Sequence, residues 1–178
     1  QTLLIDLATS TVEILDAPGP PARSFHALAF DRQSDRVIMF GGAPAGYDGT
    51  GDLGDTWAFD PHAETWEQMS PVETPPPQSF HDMTYHADLD RIALIAGEVW
   101  TYDYETDTWE QLPHWAGPPW HGYLAGSAVV DETTGMVVTV TESNRGCGPE
   151  TRTTDLATGL WYPHPFWNLA TTCDPRTG

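Results

Sequence analysis

Lysine is absent from this 178-residue chain, and seven arginines stand against 26 acidic residues, for a formal charge of −19. A field of that sign repels phosphate backbones and anionic lipid surfaces, so nucleic acid is excluded as a partner. The acidity reads either as a solubility device suited to saline surroundings or as a surface that gathers divalent cations or a basic partner. Cysteine is nearly absent too: Cys147 and Cys173 are too few and too widely spaced to form a zinc site by themselves. Exposed free thiols are uncommon in secreted proteins, so a disulfide is the expected state, closing a loop of about 26 residues and contributing ~3 kcal/mol in the chain-entropy picture. Two free thiols are the alternative. No apolar run approaches the roughly 18 residues of a membrane-crossing helix. Catalytic signatures are missing as well: there is no Gly-x-Ser-x-Gly turn, no His-Glu-x-x-His and no phosphate-binding glycine loop. Cys147 has only Arg145 as a nearby cation and Glu150 beside it, which is no setting for a nucleophilic thiolate. A start at Gln1 fits a secreted product whose leader has been removed, and equally a piece cut from a longer chain. An extracellular or periplasmic location is the expectation.

What is present points to strands. Hydrophobic residues make up 39% of the chain and aromatics 11%, enough for a packed core. Sixteen glycines and sixteen prolines punctuate many short apolar runs, the mark of a turn-rich all-β chain. The organising stretch runs from Arg23 to Met69. RSFHALAFD alternates apolar and polar residues, RVIMFGG is a continuous apolar run closed by glycines, and DTWAFDP and TWEQM are short and aromatic. Four strands in a unit of roughly 45 residues is the period of a propeller blade.

The unit recurs. Asp6, Asp60, Asp103 and Asp155 each stand six residues before Val12, Trp66, Trp109 and Trp161. Asp suits a turn because its short side chain accepts neighbouring backbone N–H groups, and Trp brings a large surface for packing between sheets. Upstream, FHALAFDRQSDRVIMFGG aligns without a gap on FHDMTYHADLDRIALIAG, and more loosely on AGSAVVDETTGMVVTVTE. Asp31, His86 and Asp131 share one position in these copies, while Gly41-Gly42 becomes Ala96-Gly97 and then Thr141-Glu142.

These residues resemble the kelch repeat over nearly the whole chain. The resemblance rests on the run ending in Gly41-Gly42, on Trp57-Ala58-Phe59-Asp60-Pro61, and on Trp66 six residues after Asp60. Val99-Trp100-Thr101-Tyr102-Asp103 and Trp109 carry it in the second copy. It implies a kelch-like β-propeller segment in which each repeat is a four-stranded blade around a central channel. The blades are expected at 22–70, 77–112 and 123–163. A C–D strand pair at 1–15 precedes them and a tail at 164–178 follows. Three and a half blades fall short of the six or seven that close such a ring. The expected partners are therefore other copies of the chain, stacked into a ring or filament, or the rest of a longer propeller. Galactose oxidase, an enzyme that resembles kelch propellers, holds copper with Tyr, His and a Cys-linked Tyr. Neither cysteine here lies in a matching context, and no such activity is carried over.

Three groups of residues are candidates for a site. His26 and His81 share a position on the inner strand, where they would line the channel; they bind a metal only if a third ligand converges, and otherwise hydrogen-bond across strands. The loop APAGYDGTGDLGD offers Asp48, Thr50 and Asp52 as alternating oxygen ligands for calcium, without the later bidentate glutamate, so an acidic surface loop is the alternative. Trp115, Trp120 and Trp167 have no packing role by repeat position and would stack on glycans or anchor a partner, or else cover the end of the fold. The favoured function is a non-catalytic structural or protein-interaction module, with a glycan-binding or carbohydrate-active propeller as the competing class.

Overall fold

The computed structural model describes residues 2–96, 98–112, 128–141, 150–158 and 160–163. Cys147, Cys173, Trp115, Trp120 and Trp167 lie outside the described residues, and with them the expected disulfide and the three loop tryptophans. The described chain is all-β. A hairpin of β1 (Thr2–Asp6) and β2 (Thr11–Leu15) comes first. The first sheet contains β3 (Arg23–Ser24), β4 (Ala27–Asp31), β5 (Arg36–Pro44), β6 (Leu53–Asp60) and β7 (Thr65–Gln68), with both β3 and β4 paired to β5. The second holds β8 (Asp82–His86), β9 (Arg91–Ile95), β10 (Val99–Asp103) and β11 (Thr108–Gln111) in sequential order. The third holds β12 (Ala128–Asp131), β13 (Met136–Thr141), β14 (Glu150–Asp155) and β15 (Leu160–Pro163), again in order. All pairings are antiparallel.

One turn design links these strands. The side chains of Asp6, Asp60 and Asp155 each accept backbone N–H bonds from the residues two and three further on, and Asp31 does the same. Asp131 accepts from Thr133, and His86 Nδ1 fills the same role by accepting from Leu89 N–H. The residue four places after the capping side chain then turns left-handed: Ser10, Asp35, Glu64, Asp90, Asp107 and Gly135 all have φ between 48° and 69°. Only Gly135 adopts that conformation without steric cost, so in the other turns the capping bonds help hold a residue that does not prefer it.

The sheets stack face to face, each burying its Trp-bearing face on the sheet before it. Tyr85, Ile92, Tyr102 and Trp109 share one face of the second sheet by register. They pack with Ala29, Ile38, Phe40 and Ala58 of the first sheet in one core cluster. The opposite face of the second sheet contributes Ala93, Ile95 and Val99 to another cluster with Val137 and Val130 of the third. Backbones approach most closely along the inner strands, β4 with β8 and β8 with β12. Further out, Trp109 spans the gap between sheets and donates its Nε1–H to Thr56 Oγ1 at 3.0 Å. Trp66 repeats this contact one sheet earlier, donating to Thr2 Oγ1 at 2.8 Å. Thr56 and Thr2 each stand four residues before a turn-capping aspartate, so the same bond recurs at the same repeat position. Two ion pairs recur likewise: Arg36 reaches Asp60 at 2.8 Å and Arg91 reaches Asp103 at 2.9 Å. Each ties the start of a second strand to the turn that follows the third.

Candidate functional site

The inner strands have two ends, and the sequence-predicted histidines lie at one of them. They fall just before the strands rather than on them, because the residue preceding each is left-handed: Phe25 at φ 57° and Phe80 at φ 59°. Bulky residues rarely adopt that conformation. Here it is held by Phe80 N–H bonding Phe25 O at 3.0 Å and by the two rings stacking with centroids 4.0 Å apart. Tyr47, from the glycine-rich loop, meets Phe25 edge-on at 6.5 Å.

The glycine pair shapes this end. Gly41 and Gly42 have φ of 59° and 99°, and the β5–β6 register shifts between Phe40 and Gly42. A Cβ on Gly41 would stand 2.6 Å from Gln78 O, and one on Gly42 would stand 2.7 Å from Ser24 O and 2.9 Å from His26 Cβ. Only glycine admits these segments so closely, and Gly42 N–H bonds Gln78 O, in the segment leading to the second sheet, at 2.9 Å. Beside the pair, the enclosed Arg23 guanidinium holds Asp55 bidentately, at 2.6 and 2.8 Å, and also bonds Gly41 O. Burial alone would push the Asp55 carboxyl up, but hydrogen bonds from Arg23 and Trp57 together with the Arg23 charge outweigh it and hold it below its usual range.

His81 is 5% exposed and sits at 3.2 Å from Phe40 O, to which its Nε2–H donates. Its Nδ1, His26 Nδ1 and Asp52 Oδ1 are enclosed and make no hydrogen bond. Desolvation pushes His81 down to about 4, with the neighbouring His26 adding to that and Asp52 opposing it. His26 is lowered as well, by desolvation and by Arg23. Next in the chain, burial pushes Asp82 up to about 6. The structure therefore brings His26, His81 and Asp52 into one neighbourhood. Among the described residues, however, no group of three or more His, Cys, Asp or Glu is placed to hold a metal ion. In the proposed calcium loop, Asp48 Oδ1 instead accepts both the N–H and the hydroxyl of Thr50, a local turn at the surface.

At the other end of the inner strands, the three equivalent turns meet around a recess of about 190 Å³ lined by Arg32, Tyr85, His86, Asp88 and Glu132 among others. Arg32 of the first sheet pairs with Glu132 of the third at 2.6 Å, over the second sheet's turn. His86 is fully engaged, donating from Nε2 to Gly135 O at 2.7 Å while Nδ1 caps its own turn. His86 Nε2 and the Arg32–Glu132 pair link one turn to another, whereas His86 Nδ1 and the Tyr85 hydroxyl, which donates to Asp90, bond within their own hairpin.

Among the described residues, the N-terminal hairpin carries an exposed apolar surface. Its inward face, with Leu15 buried, sits against the first sheet through Thr2 and Trp66. Its outward face is formed by Leu3, Ile5, Val12 and Ile14, paired by register as Leu3 with Ile14 and Ile5 with Val12. These four are 55%, 62%, 62% and 56% exposed. The hairpin also covers only part of the first sheet. On β4, Leu28 and Phe30 remain 49% and 45% exposed, and β1 has no second strand partner among the described residues. An edge and an apolar face left open together mark an association surface. The sequence signal for it is a strand pair with apolar residues on both faces, which needs cover on both sides.

Compared with known proteins, the chain matches no protein-family model and no curated protein. The described residues contain no helix long and apolar enough to cross a membrane.

Proposed function

We propose that the chain is a segment of a kelch-like β-propeller that works as a non-catalytic, extracellular protein-interaction module. The carrying observation is the outward face of the hairpin, where Leu3, Ile5, Val12 and Ile14 form an apolar surface without a single charge in a chain of net charge −19. Its inward face already binds a sheet, and the repeat position of Val12 is the one at which Trp66 and Trp109 contact the preceding sheet. A photo-reactive benzophenone residue replacing Ile5 is expected to cross-link to a second polypeptide. The same residue at Val72, which is 98% exposed in a loop, serves as the control. Equal labelling from the two positions would defeat the reading.

One observation favours a second reading, a glycan-binding propeller. Phe25 is exposed and stacks on Phe80 next to Tyr47 and the acidic loop, an aromatic platform rimmed by hydrogen-bonding groups. A glycan array probed with the native chain and with Phe25→Ala separates the two. Hits that vanish in the variant support sugar binding; an array without hits removes it.

A further inference from the structure

We infer that the outward face of the hairpin seats on the open face of the third sheet of a second copy, joining chains head to tail. This deepens the interaction reading and rests on it. The argument is continuity with junctions the molecule already has. At both internal junctions of the sheets, the face that carries the Trp position packs on the opposite kind of face of the preceding sheet. The hairpin repeats this polarity. Its inward face receives Trp66 of the first sheet, so its outward face, with Val12 at the Trp position, is the kind that elsewhere lies on a preceding sheet.

A complementary occupant must offer a face of the opposite kind. Among the described residues the third sheet presents such a face, with Val129 exposed and Met136 and Val138 part-buried. Val129, Met136 and Val138 share it by register, on the side away from Val130 and Val137, which pack on the second sheet. Val129 is 58% exposed. Pairing two hairpins through like faces would have no precedent within the chain. A head-to-tail junction leaves the pair with one free face of each kind, one on each copy, so the assembly closes into a ring or grows as a filament. The apolar contact works against repulsion between chains of charge −19, so association strengthens as salt screens that repulsion.

The test is complementation between two blocked variants, followed by sedimentation across a range of concentration and salt. Ile5→Glu blocks the hairpin face and Val129→Glu blocks the third sheet; both side chains are exposed, and near-ultraviolet circular dichroism checks that each variant keeps its fold. Leu3→Glu provides an independent block of the hairpin. The native chain is expected to associate and each variant to remain a monomer. An equimolar mixture of the two is expected to form a 1:1 complex, because one intact face of each kind survives. If Val129→Glu alone still dimerises while Ile5→Glu does not, like faces pair; the head-to-tail inference falls and the interaction reading stands. A native chain that stays monomeric under all conditions, together with no cross-linking from position 5, overturns both.

Discussion

The junction between the first and second sheets and the outward face of the hairpin are built from the same repeat positions, yet one is sealed and the other open. At the junction, Trp109 is 3% exposed, meets Phe40 edge-on and Tyr102 at a tilt, and hydrogen-bonds Thr56. On the hairpin, Val12 at the same position lies in water. The difference is one of neighbours rather than of local sequence. A sheet of this kind has two faces to bury, and a repeat acquires its stability from the copies on either side. Among the described residues, the hairpin packs on a sheet through one face only.

The comparison is broken most severely at its sealed end. Trp109→Ala is expected to cost about 3–5 kcal/mol, since it opens a cavity and orphans Thr56 Oγ1. Denaturant unfolding measures it, and a loss below 1 kcal/mol would mean that the sheets do not depend on one another. Next comes the glycine pair at the end of β5. Gly42→Ala forces a Cβ to within 2.7 Å of Ser24 O at a φ of 99°. It should cost about 2–3 kcal/mol, read in the same assay, whereas Gly46→Ala, with a φ of 80° but nothing within 4 Å, should cost less because only the backbone strain remains.

Asp82, at the start of β8, gives a smaller, pH-dependent effect. Its folded carboxyl is raised to about 6 by burial, above the ordinary value of 3.8. The folded state therefore holds this proton more tightly, and stability from this group is full below pH 3.8 and declines as pH rises through 6. Asp82→Asn should stabilise the protein by about 1 kcal/mol at pH 7, after discounting for partial exposure, and by almost nothing at pH 3.5. Thermal melts at both pH values check it; an equal shift at both would remove burial of the charge as the cause. His81 works in the opposite sense. Desolvation lowers it to about 4, so its contribution is lost as pH falls from 6.5 towards 4. The smallest effect belongs to the open face: Val12→Ala should change the stability of the monomer by under about 0.5 kcal/mol, a sharp contrast with the equivalent Trp109.

Much of this order was legible in the residues. The Asp-to-Trp spacing marked the strand pairs, and the hydrogen bonds of Asp6, Asp60 and Asp155 explain why aspartate stands there. The ungapped alignment of the second copy on the first marked the sheets, because turns of equal length preserve register. The glycine pair was visible as a motif. Its reason, close approach of Gln78 and His26 from elsewhere in the chain, could not be read from a linear sequence. His26 and His81 were expected on the inner strands. They precede them because the left-handed Phe25 and Phe80 break the alternation, and nothing in a Ser-Phe-His run announces a positive φ. Asp48, Thr50 and Asp52 were legible as alternating oxygens; that Asp48 Oδ1 accepts from Thr50 and that Asp52 Oδ1 is enclosed became visible only in the fold. Three and a half blades were expected to fall short of a closed ring. Which side chains form the hairpin's outward face followed only once register fixed Leu3, Ile5, Val12 and Ile14 on one side.

The central claim is that the hairpin's outward face is unfinished packing. Amide hydrogen exchange of residues 2–15, followed as protein concentration rises, tests it most directly. Protection in this segment should increase with concentration while that of β10 stays constant, because β10 is already enclosed between two strands and two sheets. Exchange in residues 2–15 that is independent of concentration would contradict it.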